Sequence, residues 1–343
     1  MKATITDIAK ATGLSVSTVS KYLNQKSVLP ENRKKIQEAI KQLDYTPNRM
    51  AQNLRSQNTQ TIALILPPME HSLYGKLVNP IENKLKSMSY LSFVCTNIPG
   101  SSSEHSLLDY LFSNHITGIL SVSHSLSSHA LQKIQQKRIP CTCVDNLPTA
   151  FSGDVISADH YRDGRHAASL FLETGHHKIA LIGKPLNTYA SIMRNKGIQD
   201  VLSPSSSRCT LLWKEISSLS EASMALEEIL ASSVTGVICL DHLSSLGVLS
   251  SVINQRITIP KELSLFCFDY EPLFEALVPN LCSMNESYEE LGEKSASLLL
   301  ERISNPEKKP EQISVSSVFY QGTTILPFLD EAHKKEAVLS GNR

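Results

Sequence analysis

The rhythm of apolar and polar positions changes near residue 60. Before that point apolar residues recur at helical spacing in short segments. Ile5, Ile8 and Ala9 share one face of a first helix, which Thr4 can cap, with Asp7 three positions on in a capping-box-like arrangement. Gly13 ends it where a tight turn needs left-handed backbone. Ser15 then caps a second helix, Val16 to about Leu23, whose Val19, Tyr22 and Leu23 are spaced to face the first. A third helix is predicted over 30–43, with Pro30 at its first position and a packing stripe of Ile36, Ala39, Ile40 and Leu43. Leu29 stands where a Ser or Thr cap is preferred, which makes for a weaker start. The pattern is helix, short glycine turn, helix: a helix-turn-helix.

From residue 61 the chain reads differently. Apolar runs of strand length occur at Thr61–Pro67, Leu91–Thr96, Gly118–Val122, Pro140–Asp145, Lys178–Gly183, Gly236–Leu240 and Leu263–Asp269. Amphipathic stretches lie between them at about 74–89, 126–137, 162–174, 221–231 and 286–303. Strands buried on both faces and alternating with helices predict parallel α/β sheets. This many strands need two such units: two doubly wound lobes with a crevice near the carboxyl ends of their strands. The serine-rich patches 101–103 and 203–207 read as exposed loops.

Composition narrows the class. At 343 residues the chain exceeds one ordinary core and suggests two or three folding units. Its 41% hydrophobic and 19% charged residues are those of a soluble globular protein. No apolar run approaches the roughly 20 residues that span a bilayer. The first residues lack the apolar core of a signal peptide, so a cytoplasmic location is expected. The seven cysteines are scattered and several lie in apolar runs (Cys95, Cys239, Cys267), as reduced core thiols would. Cys141 and Cys143 fall on one strand face, where core packing is the default. The zero net charge conceals an asymmetry. Residues 1–60 hold ten basic and four acidic side chains, a net of +6, so the remainder carries −6. A basic head on an acidic body suits presentation of one end to a polyanion, although a solvated charged face has the same composition.

Catalytic signatures are missing: no Gly-x-Ser-x-Gly elbow, His-Glu-x-x-His, phosphate-binding Walker loop or Gly-x-Gly-x-x-Gly after the first strand. His176 and His177 begin a strand and more simply end a helix than bind metal; no metal or cofactor is expected. Two alternatives stay open on pattern alone. The three helices would also suit a generic interaction bundle, and the body a small-molecule-binding α/β enzyme carrying that bundle as an N-terminal module.

The residues themselves carry a resemblance. Ala3–Asn24 (Ala-Thr-Ile-Thr-Asp-Ile-Ala-Lys-Ala-Thr-Gly-Leu-Ser-Val-Ser-Thr-Val-Ser-Lys-Tyr-Leu-Asn) closely resembles the start of LacI/GalR-family transcription regulators. Leu43–Arg55 (Leu-Asp-Tyr-Thr-Pro-Asn-Arg-Met-Ala-Gln-Asn-Leu-Arg) resembles that family's hinge. Over 61–326 the chain is similar to the type I periplasmic-binding-protein fold of the family's sensor. Its landmarks are Asp159 with Gly164, Gly175–Ile179, Arg194 with Gly197, Ile259–Pro260 and Phe268–Asp269. The resemblance implies an all-α helix-turn-helix head (1–46), a hinge helix (47–60) and an α/β two-lobed domain. One lobe would comprise 61–160 plus 288–318 and the other 161–287 plus 319–330, with crossings near 160, 287 and 318 and a polar tail at 331–343.

It also implies roles. The second helix would enter the major groove with Val16, Ser17 and Lys21 near base edges. Lys21 stands where the family often has Arg, and a lysine without a planar fork discriminates less rigidly. Thr4, Ser15, Thr18, Ser20 and Asn24 suit phosphates. Leu54 matches the hinge leucine that enters the minor groove and partly unstacks a base step. The implied partners are a pseudo-palindromic operator, a second copy of the chain, and a sugar, sugar acid or sugar phosphate. Arg194 and Asp269 match effector-gripping positions, a bidentate Arg facing an Asp being sensible chemistry for a polyol. Asp145, His71 and Ser72 are further candidates. Leu240 replaces a familiar Asn, Gln321 a common Arg, and Met69–Tyr74 the usual Asn-Pro-aromatic series, which puts the usual sugar contacts in doubt.

Overall fold

A computed structural model describes residues 3–23, 27–45, 59–69, 72–148, 151–203 and 209–328. The chain divides into two compact units, Met1–Thr59 and Gln60–Arg343.

The first unit holds α1 (Ile5–Thr12), α2 (Val16–Leu23) and α3 (Pro30–Gln42). Both arms of the capping box form: the Asp7 N–H donates to Thr4 Oγ1 at 3.4 Å, and the Thr4 N–H donates to the Asp7 carboxylate at 2.9 Å. Gly13 takes the left-handed conformation (φ 68°) that closes α1. Ile8, Val19 and Ile36 are fully buried, with Ala9 and Ala39 beside them and Tyr22, Leu23 and Ile40 around the edge. Leu43 departs from the predicted stripe. It follows the last turn of α3 and is 36% exposed. Leu29 makes no side-chain cap, as its chemistry dictates.

The second unit opens with β1 (Thr61–Leu66), α4 (Leu73–Ser87), β2 (Leu91–Thr96), α5 (Ser102–Ser113), β3 (Gly118–Val122), α6 (Ser128–Gln136), β4 (Cys141–Val144) and β5 (Asp154–Ala158). It continues through α7 (His160–Glu173), β6 (Lys178–Gly183), α8 (Tyr189–Leu202), β7 (Thr210–Glu215), α9 (Leu219–Ala231), β8 (Gly236–Cys239), α10 (His242–Asn254), β9 (Ser264–Phe268), α11 (Pro272–Leu277) and β10 (Cys282–Asn285). It closes with α12 (Tyr288–Ser304), β11 (Gln312–Val315) and β12 (Val318–Tyr320). The strands form two six-stranded sheets, ordered β11-β5-β4-β3-β1-β2 and β12-β10-β9-β8-β6-β7. Every pairing is parallel except β10 with β12.

Each central strand feeds two cores because side chains alternate across the sheet. Ile62, Leu64 and Leu66 pack under α4 and α12, while Ala63 and Ile65 pack under α5 and α6. Ala180 and Ile182 face α9 and α10, and Ile179 and Leu181 face α7 and α8. The chain leaves the first sheet after Ala158, returns to it with α12, and changes sheet a third time between Val315 and Val318. Arg302 of α12 grips Asp154 at the start of β5 through two hydrogen bonds, of 2.8 and 2.9 Å.

Two expectations fail for identifiable reasons. Leu91–Thr96 is an edge strand and is largely exposed or half-buried, not buried on both faces. The serines at 101–103 are the cap and first turn of α5, whose Leu108 and Leu111 hold it to the sheet; residues 204–208 lie outside the described residues. Helices α8 and α10 carry little helical alternation because both are buried on more than one side.

Helices α7 and α8 meet backbone to backbone. A Cβ on Gly164 would lie 2.1 Å from the Arg194 carbonyl oxygen, and one on Gly197 would lie 2.1 Å from that of Tyr161. This crossing sets the depth of α8, and so of the Arg194 side chain. We expect Gly197→Ala to lower stability by about 1–3 kcal/mol through overpacking. Urea unfolding of the purified protein checks it, and an unchanged midpoint would mean that the helices separate at no cost.

Candidate DNA-reading face and interlobe pocket

In the head, Ser17 and Lys21 fall on the side of α2 opposite the buried Val19, and Val16 stands at the start of the helix. Val16 is 40% exposed, and Ser17 and Lys21 are exposed. Ser15 Oγ accepts the Thr18 N–H at 3.2 Å and lies 2.8 and 2.9 Å from the Ser17 and Thr18 hydroxyls, a polar cluster at the N-terminus of α2. The Thr4 hydroxyl donates to the Asp7 carboxylate, and these hydrogen bonds hold Asp7 below the usual carboxylate range. Asn24, Leu54 and most of the hinge lie outside the described residues.

In the second unit a cavity of about 400 Å³ opens between the two sheets at the carboxyl ends of their strands. Asp145 follows β4 and Asp269 follows β9, both in left-handed backbone (φ 52° and 58°), a conformation that Asp tolerates better than most residues. Arg194 projects from α8 and is 2% exposed. Its Nη1 donates to the Leu240 carbonyl at 2.9 Å, and its Nη2 to Asp269 at 2.8 Å and Glu286 at 3.3 Å. Its guanidinium lies over the Phe268 ring, 4.6 Å from the centroid. Its donors are divided between two kinds of partner. One amino group is held by a backbone carbonyl, at the residue that replaces the familiar Asn, and the other is shared between two carboxylates.

Asp145 meets His160 Nε2 at 2.5 Å, and the same nitrogen lies 4.0 Å from Glu286. Three of the sequence candidates, Asp145, Arg194 and Asp269, thus converge on the pocket. Ser72 does not line it. Its hydroxyl donates across the lobes to Glu271, whose carboxylate also lies 3.4 Å from His242. His71 lies outside the described residues, and Gln321 is exposed away from the lining. His160, Glu286 and Tyr288 were missed. His160 adjoins the landmark Asp159, which could have drawn notice. Glu286 follows a strand of only four residues whose composition, Cys-Ser-Met-Asn, hides it.

Burial and opposing charges pull these groups apart. For Asp145, burial works against ionisation, but His160 and then Arg194 outweigh it and hold the carboxyl below its ordinary range. For Glu286, burial and repulsion from Asp145 push the carboxyl well above its ordinary range despite Arg194. Burial likewise disfavours charge on Arg194, and Asp269 and Glu286 reverse that. Burial next to Glu286 and Asp269 keeps the Tyr288 phenol protonated. Asp145, His160 and Glu286 bring ligand-type atoms within 4.8 Å of one another. A metal ion does not suit the gap. Asp145 and His160 are in direct contact, and Arg194 already supplies positive charge beside Glu286. His176 is structural, lying 2.8 Å from the Thr235 hydroxyl and 3.0 Å from the Leu326 carbonyl.

A helix-turn-helix with an exposed second helix, joined to a two-lobed α/β unit with a pocket between its sheets, is the arrangement of a ligand-responsive transcription regulator. Residues 4–48 match the model "Bacterial regulatory proteins, lacI family", and residues 168–324 match "Periplasmic binding protein-like domain". The sucrose operon repressor of Streptococcus mutans is 27% identical over 322 residues, 91% of this chain and 97% of that protein. The structure of the lac repressor dimer bound to operator and the anti-inducer ONPF superposes with a TM-score of 0.83 at 19% identity, covering 95% of this chain and all of that one. A complex of the transcriptional regulator CelR with cellobiose gives 0.68 at 22% identity over 94% of this chain and all of the other. Residues 4–48 are thus a lacI-family helix-turn-helix domain, and residues 168–324 a periplasmic-binding-protein-like domain.

The titration of Glu286 has a measurable sign. Its carboxyl holds a proton more readily folded than unfolded, so its contribution to stability is present at low pH and lost as pH rises through the folded-state value. Asp145 acts oppositely, its contribution being lost as pH falls. Glu286→Gln should therefore flatten the stability profile above the ordinary carboxylate range, where the native carboxyl gives up its proton. Denaturant midpoints of wild type and variant measured upward from that range test it; parallel profiles would place the titration elsewhere.

Proposed function

We propose that this chain is a homodimeric repressor of carbohydrate-utilisation genes, acting on DNA in the cytoplasm, whose operator affinity is set by a small polyhydroxylated metabolite held between its lobes. The observation that carries it is the convergence of Arg194, Asp269 and Asp145, from different elements, on one pocket in a chain that also exposes Val16, Ser17 and Lys21 on a helix-turn-helix. The similar sucrose operon repressor, and the cellobiose complex with its matching fold, support a sugar-like effector. The lac repressor dimer on its operator supports two heads on a two-fold site.

In this reading residues 1–46 form the DNA-binding head and 47–60 the hinge. The two lobes are 61–160 plus 288–318 and 161–287 plus 319–330, with 331–343 as a tail. Val16, Ser17 and Lys21 read base edges. Thr4, Ser15, Thr18, Ser20 and Asn24 hold phosphates, and Leu54 wedges into the minor groove. Arg194, Asp269 and Asp145 hold the effector, with His71 and Ser72 as further candidate contacts. The effector acts by binding the operator-competent and operator-released states unequally; without that difference no switching occurs.

Selection from random duplex DNA with the full-length protein, with and without a sugar panel, tests the reading. We expect a palindrome with a central pyrimidine–purine step, whose recovery changes in the presence of the effector. No enrichment even at low salt, where phosphate contacts are strongest, would overturn it. In the same assay Lys21→Ala should relax base preference at one symmetric pair of positions, by about 1–3 kcal/mol per site. An unaltered selection profile would remove Lys21 from base recognition.

A further inference from the structure

The pocket lining carries four acidic side chains, Asp145, Asp241, Asp269 and Glu286, and two with permanent positive charge, Arg194 and Lys184. Arg194 is the buried cation of the pair, and its charge is already engaged. Nη1 is held by the Leu240 carbonyl, Nη2 by Asp269 and Glu286, and one face by Phe268. An anionic group reaching Arg194 must displace a buried carboxylate and then sit beside it. The Lys184 backbone N–H donates to the Asp241 carboxylate at 2.7 Å. Acids still outnumber cations on the lining when Glu286 holds a proton.

One donor is unfilled. Arg194 Nε is buried and has no hydrogen-bond partner among the described residues. Around it the acceptors are rich. Asp269 and Asp145 each commit Oδ1 to a buried partner, Arg194 and His160 respectively, and a carboxylate offers about four lone-pair sites in all. The group that fits an orphan donor beside carboxylate acceptors must accept one hydrogen bond and donate another. A hydroxyl does both; a carboxylate or phosphate only accepts.

We propose that Asp269 and Glu286, by engaging Arg194, make this pocket selective by charge: it takes neutral hydroxyl-bearing sugars and rejects sugar acids and sugar phosphates. This rests on the sugar reading of the effector and narrows it. Glu286 is the added specificity residue. Asp269 and Glu286 together convert an arginine that could grip an anion into one that presents carboxylates to hydroxyl protons.

Isothermal titration of the full-length protein with matched series tests this: ribose, ribonate and ribose phosphate; glucose, gluconate and glucose phosphate; and inorganic phosphate alone. Wild type should bind the neutral member of a series at least about tenfold more tightly than its acid or phosphate, ~1.4 kcal/mol, and should not bind inorganic phosphate. The double variant Asp269→Asn with Glu286→Gln, which keeps shape and acceptor oxygens while removing both charges, should lose neutral-sugar binding and gain phosphate or aldonate binding by about tenfold or more. Glu286→Gln alone should move the same way to a smaller extent, which covers failure of the double variant to fold. Wild-type preference for an acid or phosphate would overturn the proposal while leaving a sugar-sensing pocket in place. Gained phosphate binding in the variant, with no neutral sugar bound by wild type, would uphold charge selection and remove the sugar reading. No gain in either variant would overturn it outright.

Discussion

A guanidinium buried between two sheets is tenable only when its donors find partners, and that requirement organises the sensor domain. The ion pairs around Arg194 join α8 to the ends of β9 and β10, with the Leu240 carbonyl after β8 as a third anchor. Removing one partner from such a group commonly costs about 3–5 kcal/mol because it leaves an uncompensated buried charge. Arg194 is therefore a structural residue as well as a pocket residue.

The same network reaches the segments where the chain changes sheet. His160 stands at the first crossing, where α7 begins, and pairs with Asp145 after β4 of the first sheet. Glu286 stands at the second, within reach of both Arg194 and His160. Ser317 stands at the third and donates to Asp163 of α7 at 2.5 Å. Burial raises the Asp163 carboxyl above its ordinary range, with Ser317 and Arg194 acting against the shift. Polar contacts placed at all three crossings feel any rotation of one lobe against the other. In a low-dielectric interior, small changes in such distances carry more energy than they would in water. A ligand that alters Arg194 or Asp145 thus acts on groups already tied to the pivots.

The head works by different physics. Its core is five buried residues, Ile8, Ala9, Val19, Ile36 and Ala39, and its helix ends are defined by a capping box, a left-handed glycine and a proline start. Local chemistry of this kind is short-range and is written in adjacent residues. The helix-turn-helix was for that reason legible almost residue by residue, including the uncapped start at Leu29. Leu43 was misplaced because the stripe ran one residue past the turn that ends α3.

Much of the sensor was legible as well. Apolar runs of four to six residues marked β1, β3, β4, β6, β8 and β9, because a strand buried on both faces has no polar side to show. The fully buried β5, with Asp154 and Ser157 among its five residues, went unread. Edge strands, the short strand β10 and helices α8 and α10 were harder, since their burial depends on neighbours far along the chain. Sequence alone brought out Arg194 and Asp269 as effector candidates through a family resemblance, and Asp145 through its place at the end of a strand. It did not determine that Arg194 would be shared between Asp269 and Glu286, that His160 would meet Asp145, or that Ser72 would bond to Glu271 instead of lining the pocket. Those pairings join residues 15 to 199 positions apart. Local propensity fixes where an element starts and which face it buries; only the packing of two sheets and three crossings decides which charged groups share a low-dielectric space.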